Sequence, residues 1–413
     1  MNYDQEHSDI PSSNIPRERS VGETRLSVQQ PLPNLFCAHG LSNAIWMNVN
    51  QTTILVDSCA SHPGLGDCIR QTGSQEIRFI IYSHGHRDHL FTRDAVAQLN
   101  INDSTRLLAH WRVPKRIERE ERLSQHSERI RSIQFKEKPL APLYHSPVLY
   151  PSEVYHHETT IELGEYQLHV IHVRGETDDA SIVHIKNMDC VLAGDLLIGS
   201  WPNLGNPFKE PRYGQDWVMA LKHIRTLKPK VIIPGHGPIL QNIDVVHCLD
   251  DTIAGLETVH DHVISGLNKG HSLKQMVDEI RLPSELENSP YLRQTYSRVE
   301  LAVIAFYRSH TGWWDGDPTS VYPTDRTRVA IEIRSALQDE QRLLIRTQEL
   351  WESGDRSTAM ELVQLLIRGR EGTETAQEPE TLREHFLQQL LTEDRCLMTR
   401  SAWINAQRQR RDP

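Results

Sequence analysis

The stretch SHGHRDHL (residues 83–90) places three histidines and an aspartate, His84, His86, Asp88 and His89, within six positions. Surface histidines scatter and core histidines come singly, so a cluster this dense reads as a set of metal ligands. It emerges from IRFIIY (77–82), a β-branched apolar run of strand type. In an extended segment alternate side chains point the same way. His84 and His86 would then grip one metal from one side, while Asp88 and His89, where the chain turns, face a second.

Working outward, other strand ends supply what two metals would still need. RGETDD offers Glu176, AGDLL offers Asp195 and PGHGP offers His236. Asp195 and His236 directly follow the apolar runs CVLAG and VIIPG, so a site at one edge of a sheet would collect them. A lone loop carboxylate is usually just solvated; several such loops behind strands are a pattern.

The strands set the fold class. AIWMNV and TTILVD flank the dipeptide NQ and read as a hairpin ending at Asp57. YQLHVIHV (166–173), DCVLAGD (189–195) and KVIIPGHGPI (230–239) are further strands, with a helix expected near DWVMALKHIRTL. VPKRIEREERLSQHSERIRSI (113–133) reads as one charged amphipathic helix with His126 on its surface. Strands alternating with helices and ending in polar turns predict an α/β layered domain with its chemistry at the strand ends.

Beyond about residue 245 strand signals stop. DTIAGLETVHDHVISGLNKG is helical with a glycine stop, and AIEIRSALQDEQRLLIRTQELWESGD and STAMELVQLLIRGR read as antiparallel helices joined at ESGD. Their apolar stripes predict a helical core and an oligomer interface. The expected organisation is a disordered or loosely docked tail over 1–30, a catalytic domain over 31–245, a helical linker with the GWWDGDP block over 246–320, and a helical dimerisation domain over 321–413.

Composition excludes several classes. Lys+Arg 45 against Asp+Glu 55 gives a net charge of -10, the wrong balance for gripping duplex nucleic acid. No apolar run is long enough for a bilayer span, and the polar N-terminus lacks a secretory pattern, so a cytoplasmic protein is expected. Cys37, Cys59, Cys68, Cys190, Cys248 and Cys396 have no paired spacing and read as reduced thiols. GLGD (64–67) is too short for a nucleotide-binding loop.

From Asn34 to Ile239 these motifs, in order and spacing, resemble the metallo-β-lactamase superfamily. The resemblance implies an αββα sandwich with a dinuclear site between two sheets. It assigns His84 and His86 to the first metal, Asp88, His89 and His236 to the second, Asp195 as the bridge, and Asp57 as a buttress. The family's usual third histidine of the first site, in a GHT-like turn, is replaced by Gly175-Glu176-Thr177. His172 and His184 flank that turn at strand positions and read as ordinary core or edge residues.

A carboxylate at this position resembles two narrower groups. One is the alkylsulfatase branch, to which YRSHTGWWDGDPTSVYP (307–323) and the helical block after it are also similar. That resemblance implies an all-α C-terminal dimerisation region and a homodimer. It also implies a hydrolase in which a metal-bridging hydroxide attacks a sulfate ester or another small anionic ester with an apolar portion, with Asp88 and Asp195 catalytic. The chain departs from that branch in carrying Asp195 where many members have glutamate, and in ending before a lipid-carrier-like third domain. The other group comprises diiron oxygenases of the same fold, acting in biosynthesis. Zinc is the expected metal of the hydrolase; the harder oxygen ligands make iron or manganese the alternatives.

An anionic ester needs a holding group. Lys209 and Arg212 in NPFKEPRYGQDW are the best placed, with Asn203, Asn206 and Tyr213 in the same loop. Trp313 and Trp314 either line an apolar channel or pack the domain junction.

Overall fold

A computed structural model describes residues 26–74, 76–99, 101–135, 146–315 and 317–408. These divide into two compact units, 26–132 with 146–309 and 133–135 with 310–408. The expected breaks at 245 and 320 are therefore replaced by one at 309. The physical reason is packing: Val245, Leu249, Leu256, Val259, Val263 and Phe306 are buried in the same core as Trp201 and Trp217. Most of the expected tail lies outside the described residues, but its last part is structured, since strand β1 (Ser27–Leu32) pairs antiparallel with β2 (Leu35–His39).

The first unit holds two sheets. One has seven strands in sequence order: β1, β2, β3 (Asn43–Val49), β4 (Thr52–Val56), β5 (Glu76–Ile81), β6 (Arg106–His110) and β7 (Glu153–Tyr155). The other runs β13 (Leu240–Gln241), β12 (Val231–Pro234), β11 (Cys190–Gly194), β10 (Ser181–Ile185), β9 (Tyr166–His172) and β8 (Glu158–Leu163). Ile45, Ile54, Ile81 and Leu108 from the first sheet meet Val170, Val183, Leu192 and Ile233 from the second in one buried layer. The helices Leu65–Gln71 and Arg112–Arg122 cover the first sheet. Gly214–Leu227, Ile243–Lys269 and Val299–His310 cover the second. This is the αββα layering expected.

The β3–β4 hairpin forms as read. Asn50 and Gln51 both have positive φ, 48° and 68°, which a two-residue turn matched to strand twist requires. β4 pairs parallel with β5, and β11 with β12. Their C-terminal ends thus deliver Asp57, residues 83–89, Asp195 and His236 to one edge of the sandwich, where crossover topology leaves a crevice.

Two local expectations are corrected. The charged helix over 113–133 is two helices, Arg112–Arg122 and Ser124–Gln134, because the N–H of Leu123 closes the first onto Arg119 and Glu121. The histidine stretch is a series of bends and turns rather than an extended segment. His89 N–H bonds back to the His86 carbonyl at 3.0 Å, and this turning brings four side chains inward that a straight strand would have split between two faces.

The second unit is helical: Arg326–Ala336, Glu340–Glu352, Arg356–Ile367, Gln377–Glu393 and Leu397–Arg408. Asp325, Asp339 and Asp355 cap three of these, each satisfying first-turn N–H groups that lack intrahelical partners. Trp351 stacks on Phe386 at 3.9 Å over Ala359, Val363 and Ile367. All six cysteines are reduced thiols. Among the described residues no helix is long and apolar enough to cross a membrane.

Candidate metal centre

The strand ends bring together every residue expected to bind metal. His84, His86, Glu176 and Asp195 form one group whose candidate ligand atoms lie within 4.8 Å of one another, and Asp88, His89 and His236 form a second. Asp195 faces both. Its Oδ2 is 3.6 Å from His84 Nε2, and its Oδ1 is 3.2 Å from His89 Nε2 and 3.5 Å from His236 Nε2. The backbone permits this because Gly235 approaches so closely that any Cβ there would collide with the Asp195 carboxylate.

Hydrogen bonds fix which ring nitrogens point inward. His89 Nδ1 donates to Asp57 Oδ2 at 2.8 Å. His236 Nδ1 donates to the Leu41 carbonyl at 2.6 Å. Ser83 spends its hydroxyl proton on Asp57 Oδ2, 2.6 Å away, so its oxygen accepts from His84 Nδ1 at 3.0 Å. Each of the three imidazoles thereby turns its Nε2 to the cavity, the nitrogen left for a metal ion.

The arrangement fits a pair of cations. The Nε2 atoms of His89 and His236 face each other at 3.3 Å, and Asp195 Oδ1 is buried without a hydrogen-bond donor. Two lone pairs and a carboxylate in that geometry repel unless positive charge lies between them. In the ion-free protein protons take this role. Burial opposes the charge on His236, but Asp195 and Asp88 outweigh it and push the ring up to about 10. Burial likewise opposes the ionised form of Asp88, yet His89 and His236 hold its carboxyl down to about 2. In the first group burial and the charge of His89 lower His84 to about 4, leaving it neutral. Glu176 is pushed up to about 8 by burial, against the pull of Arg212.

The loop after β11 does more for Glu176 than its sequence suggested. Arg212, 5% exposed, puts Nη2 3.1 Å from Glu176 Oε1 and Nη1 2.6 Å from the Glu176 carbonyl. Asn203 donates to the same Oε1 at 2.5 Å. Both residues thus orient a candidate ligand directly. Tyr213 stacks under Arg174 at 4.0 Å, and Asn206 accepts from the Phe208 N–H. Lys209 feels the charges of Glu120, Arg212, Glu210 and Arg131, and burial lowers its pKa. Trp313 and Trp314 are 67% and 50% exposed in the second unit. His172 stacks on His110 at 3.8 Å outside both groups, and His184 is a half-buried strand residue.

Asp57 takes the buttress position, accepting from Ser83 N–H at 2.7 Å as well as from the Ser83 hydroxyl and His89. Sequence reasoning missed Ser42, Asn43, Ser83, Arg116 and Asp179. Arg116 pairs at once with Asp178, Asp179 and Glu210, and Asp179 accepts from Gly85 N–H inside the histidine turn. These partners lie tens of residues apart, and no local spacing signals them.

Residues 38–236 match the metallo-beta-lactamase superfamily and form a domain of that family. More narrowly, residues 272–412 match the alkyl sulfatase dimerisation family, so the chain joins a metallo-β-lactamase domain to an alkylsulfatase-type dimerisation domain. It is similar to the linear primary-alkylsulfatase of Pseudomonas sp., with 25% identity over 239 residues that make up 55% of this chain and 45% of that enzyme. It also matches an alkyl/aryl-sulfatase of Saccharomyces cerevisiae, 26% identical over 118 residues, 28% of this chain and 18% of that protein. The matched stretches thus span less than half the length of these relatives. Among solved structures, a stereoselective inverting sec-alkylsulfatase from Pseudomonas sp. superposes with a TM-score of 0.79 at 16% identity, covering 94% of this chain and 66% of the other. At that identity the likeness speaks to the fold.

Proposed function

We propose that this chain is a dinuclear metal-dependent hydrolase that cleaves a sulfate ester bearing an apolar portion, and that it works as a homodimer through its C-terminal helices. The observation that carries this reading is Asp195, whose two oxygens reach His84 on one side and His89 and His236 on the other. The match of residues 272–412 to alkylsulfatases favours hydrolysis over the diiron oxidative alternative. Exposed apolar side chains in the second unit, Val329, Ile331, Ile333 and Ile345 among them, suit an interface between copies.

His84, His86 and Glu176 would hold one ion, Asp88, His89 and His236 the other, with Asp195 between them. Two divalent ions so held, zinc on this reading, supply Lewis acidity and lower the pKa of a water to near neutrality. The chain's own residues do the rest. Asp88 and Asp195 remain ionised throughout the physiological range and keep the nucleophile's position fixed. Arg212 and Asn203 hold Glu176 in place and lend positive and donor character to the wall that an anionic ester would meet. Lys209 and Tyr213 extend that wall along the same loop.

The test is release of inorganic sulfate from medium-chain primary and secondary alkyl sulfates, comparing metal-loaded, chelator-stripped and Asp195→Ala protein. Sulfate release confined to the loaded wild type is expected. No release from any sulfate ester by protein that demonstrably holds two ions would sink the sulfatase reading. Running the reaction in 18O-water then assigns the broken bond, since label in sulfate means attack at sulfur and label in the alcohol means attack at carbon.

A further inference from the structure

The second group draws its members from both halves of the sandwich. Asp88 and His89 follow β5 of one sheet, whereas His236 follows β12 of the other. Something must fix the gap between them, and the short loop joining β2 to β3 touches both. The Leu41 carbonyl accepts His236 Nδ1–H at 2.6 Å. Ser42 Oγ donates to the Asp88 carbonyl at 2.5 Å and accepts Ala60 N–H at 3.1 Å. Asn43 brackets the His236 turn with three bonds: Nδ2 donates to the carbonyls of Pro234 at 2.9 Å and Gly237 at 3.0 Å, and its N–H donates to Gly235 at 2.8 Å. Ser42 and Asn43 are 0% and 2% exposed, so neither is solvated in place of these bonds.

The first group is tied together by different residues. Ser181 N–H bonds the Ser83 carbonyl at 2.7 Å, and Arg116 joins through Asp179 to Gly85. These ties of the first group run through residues other than Ser42 and Asn43. We propose that Ser42 and Asn43 are positioning residues that set the spacing of Asp88 and His236, and that they govern occupancy of the second metal position without governing the first. The inference rests on the dinuclear reading given above.

Loss of a hydrogen bond that orients a ligand typically lowers metal affinity about 10–100-fold. Ser42→Ala leaves Ala60 N–H and Ser58 Oγ still bonded to the Asp88 carbonyl, at 2.8 and 3.2 Å, so the turn retains support. Asn43→Ala removes two of the three bonds around His236. The experiment is a titration of the full-length, metal-stripped chain with cobalt(II), followed by its visible ligand-field bands and by equilibrium dialysis, alongside the thermal midpoint of each ion-free protein. The wild type is expected to take two ions. Both variants should bind the first with unchanged affinity and the second about 10–100-fold more weakly, whatever their thermal midpoints. Equal weakening of both ions, or of neither, overturns the inference while leaving the dinuclear reading intact. A wild type that takes fewer than two ions overturns both.

Discussion

Replacing Asp57 by asparagine changes one atom in the carboxylate beneath His89, and its consequence is set by proton positions. Asp57 Oδ1 accepts from Ser83 N–H at 2.7 Å, and that bond survives in an amide. Oδ2 accepts from both the Ser83 hydroxyl and His89 Nδ1; an NH2 in its place is a donor facing donors. The serine hydroxyl can rotate away. The ring escapes the clash only by moving its proton to Nε2, the atom 3.2 Å from Asp195 and 3.3 Å from His236. His89 would then present N–H where a lone pair is required. The expected cost is about 10–100-fold in affinity for the second ion, or about 1.4–2.8 kcal/mol, with the fold preserved. Asp57→Ala should behave differently. It strands Ser83 N–H and the His89 ring in a buried site at about 1–3 kcal/mol each, so about 2–6 kcal/mol of stability is lost as well. Nitrogen NMR of histidine-labelled protein loaded with a diamagnetic divalent ion reads which ring nitrogen of His89 carries the proton, and metal titration reads the affinity. An Asp57→Asn protein that keeps a bare Nε2 on His89 and binds both ions as the wild type does would refute this reasoning.

Three further outcomes follow from the packing and the titrating groups. Gly235→Ala should cost about 1–3 kcal/mol through overpacking and displace Asp195, so retention of both ions at wild-type affinity would contradict the close approach. Trp217, fully buried with its indole N–H on the Leu196 carbonyl at 3.0 Å, should cost about 3–5 kcal/mol when cut to alanine, measured by urea unfolding. His110 is held down to about 4 by burial and by the stacked His172. The unfolded chain therefore binds more protons than the folded one between its ordinary value near 6.5 and about 4, and stability falls as pH drops through that window. His110→Phe should flatten the pH dependence of the urea midpoint, and an unchanged slope would remove His110 as its source.

What was legible in the sequence follows from where each signal resides. His84, His86, Asp88 and His89 are neighbours in the chain, Asp195 and His236 stand directly behind apolar runs, and Glu176 lies in a polar turn behind another strand, so local reading found all seven. Asp57 took its buttress role from the resemblance to the family. The conformation of the histidine turn was not legible, because its bends depend on bonds to distant segments. Nor was the turn that grips it. Asp57, Cys59, Ala60 and Ser61 all have φ between 50° and 60° without a glycine among them. Such left-handed residues are costly in isolation, and tertiary bonds such as Ala60 N–H to Asp88 hold them. Arg212 and Asn203 were placed in the right loop, but their partner Glu176 is 36 and 27 residues away. Only folding shows that they hold it. The unit boundary was missed because the amphipathic stripe of Ile243–Lys269 does not say which core it covers.

The measurement that bears most directly on the central claim is the metal content of protein purified without added metal, by elemental analysis with an anaerobic optical spectrum. About two divalent ions per chain, colourless if zinc, falling to one or fewer in Asp195→Ala, is the result this structure leads us to expect. Less than one ion per chain in the wild type would contradict the dinuclear site. Two irons with a near-ultraviolet band that bleaches on reduction would contradict the hydrolase and point to oxidation.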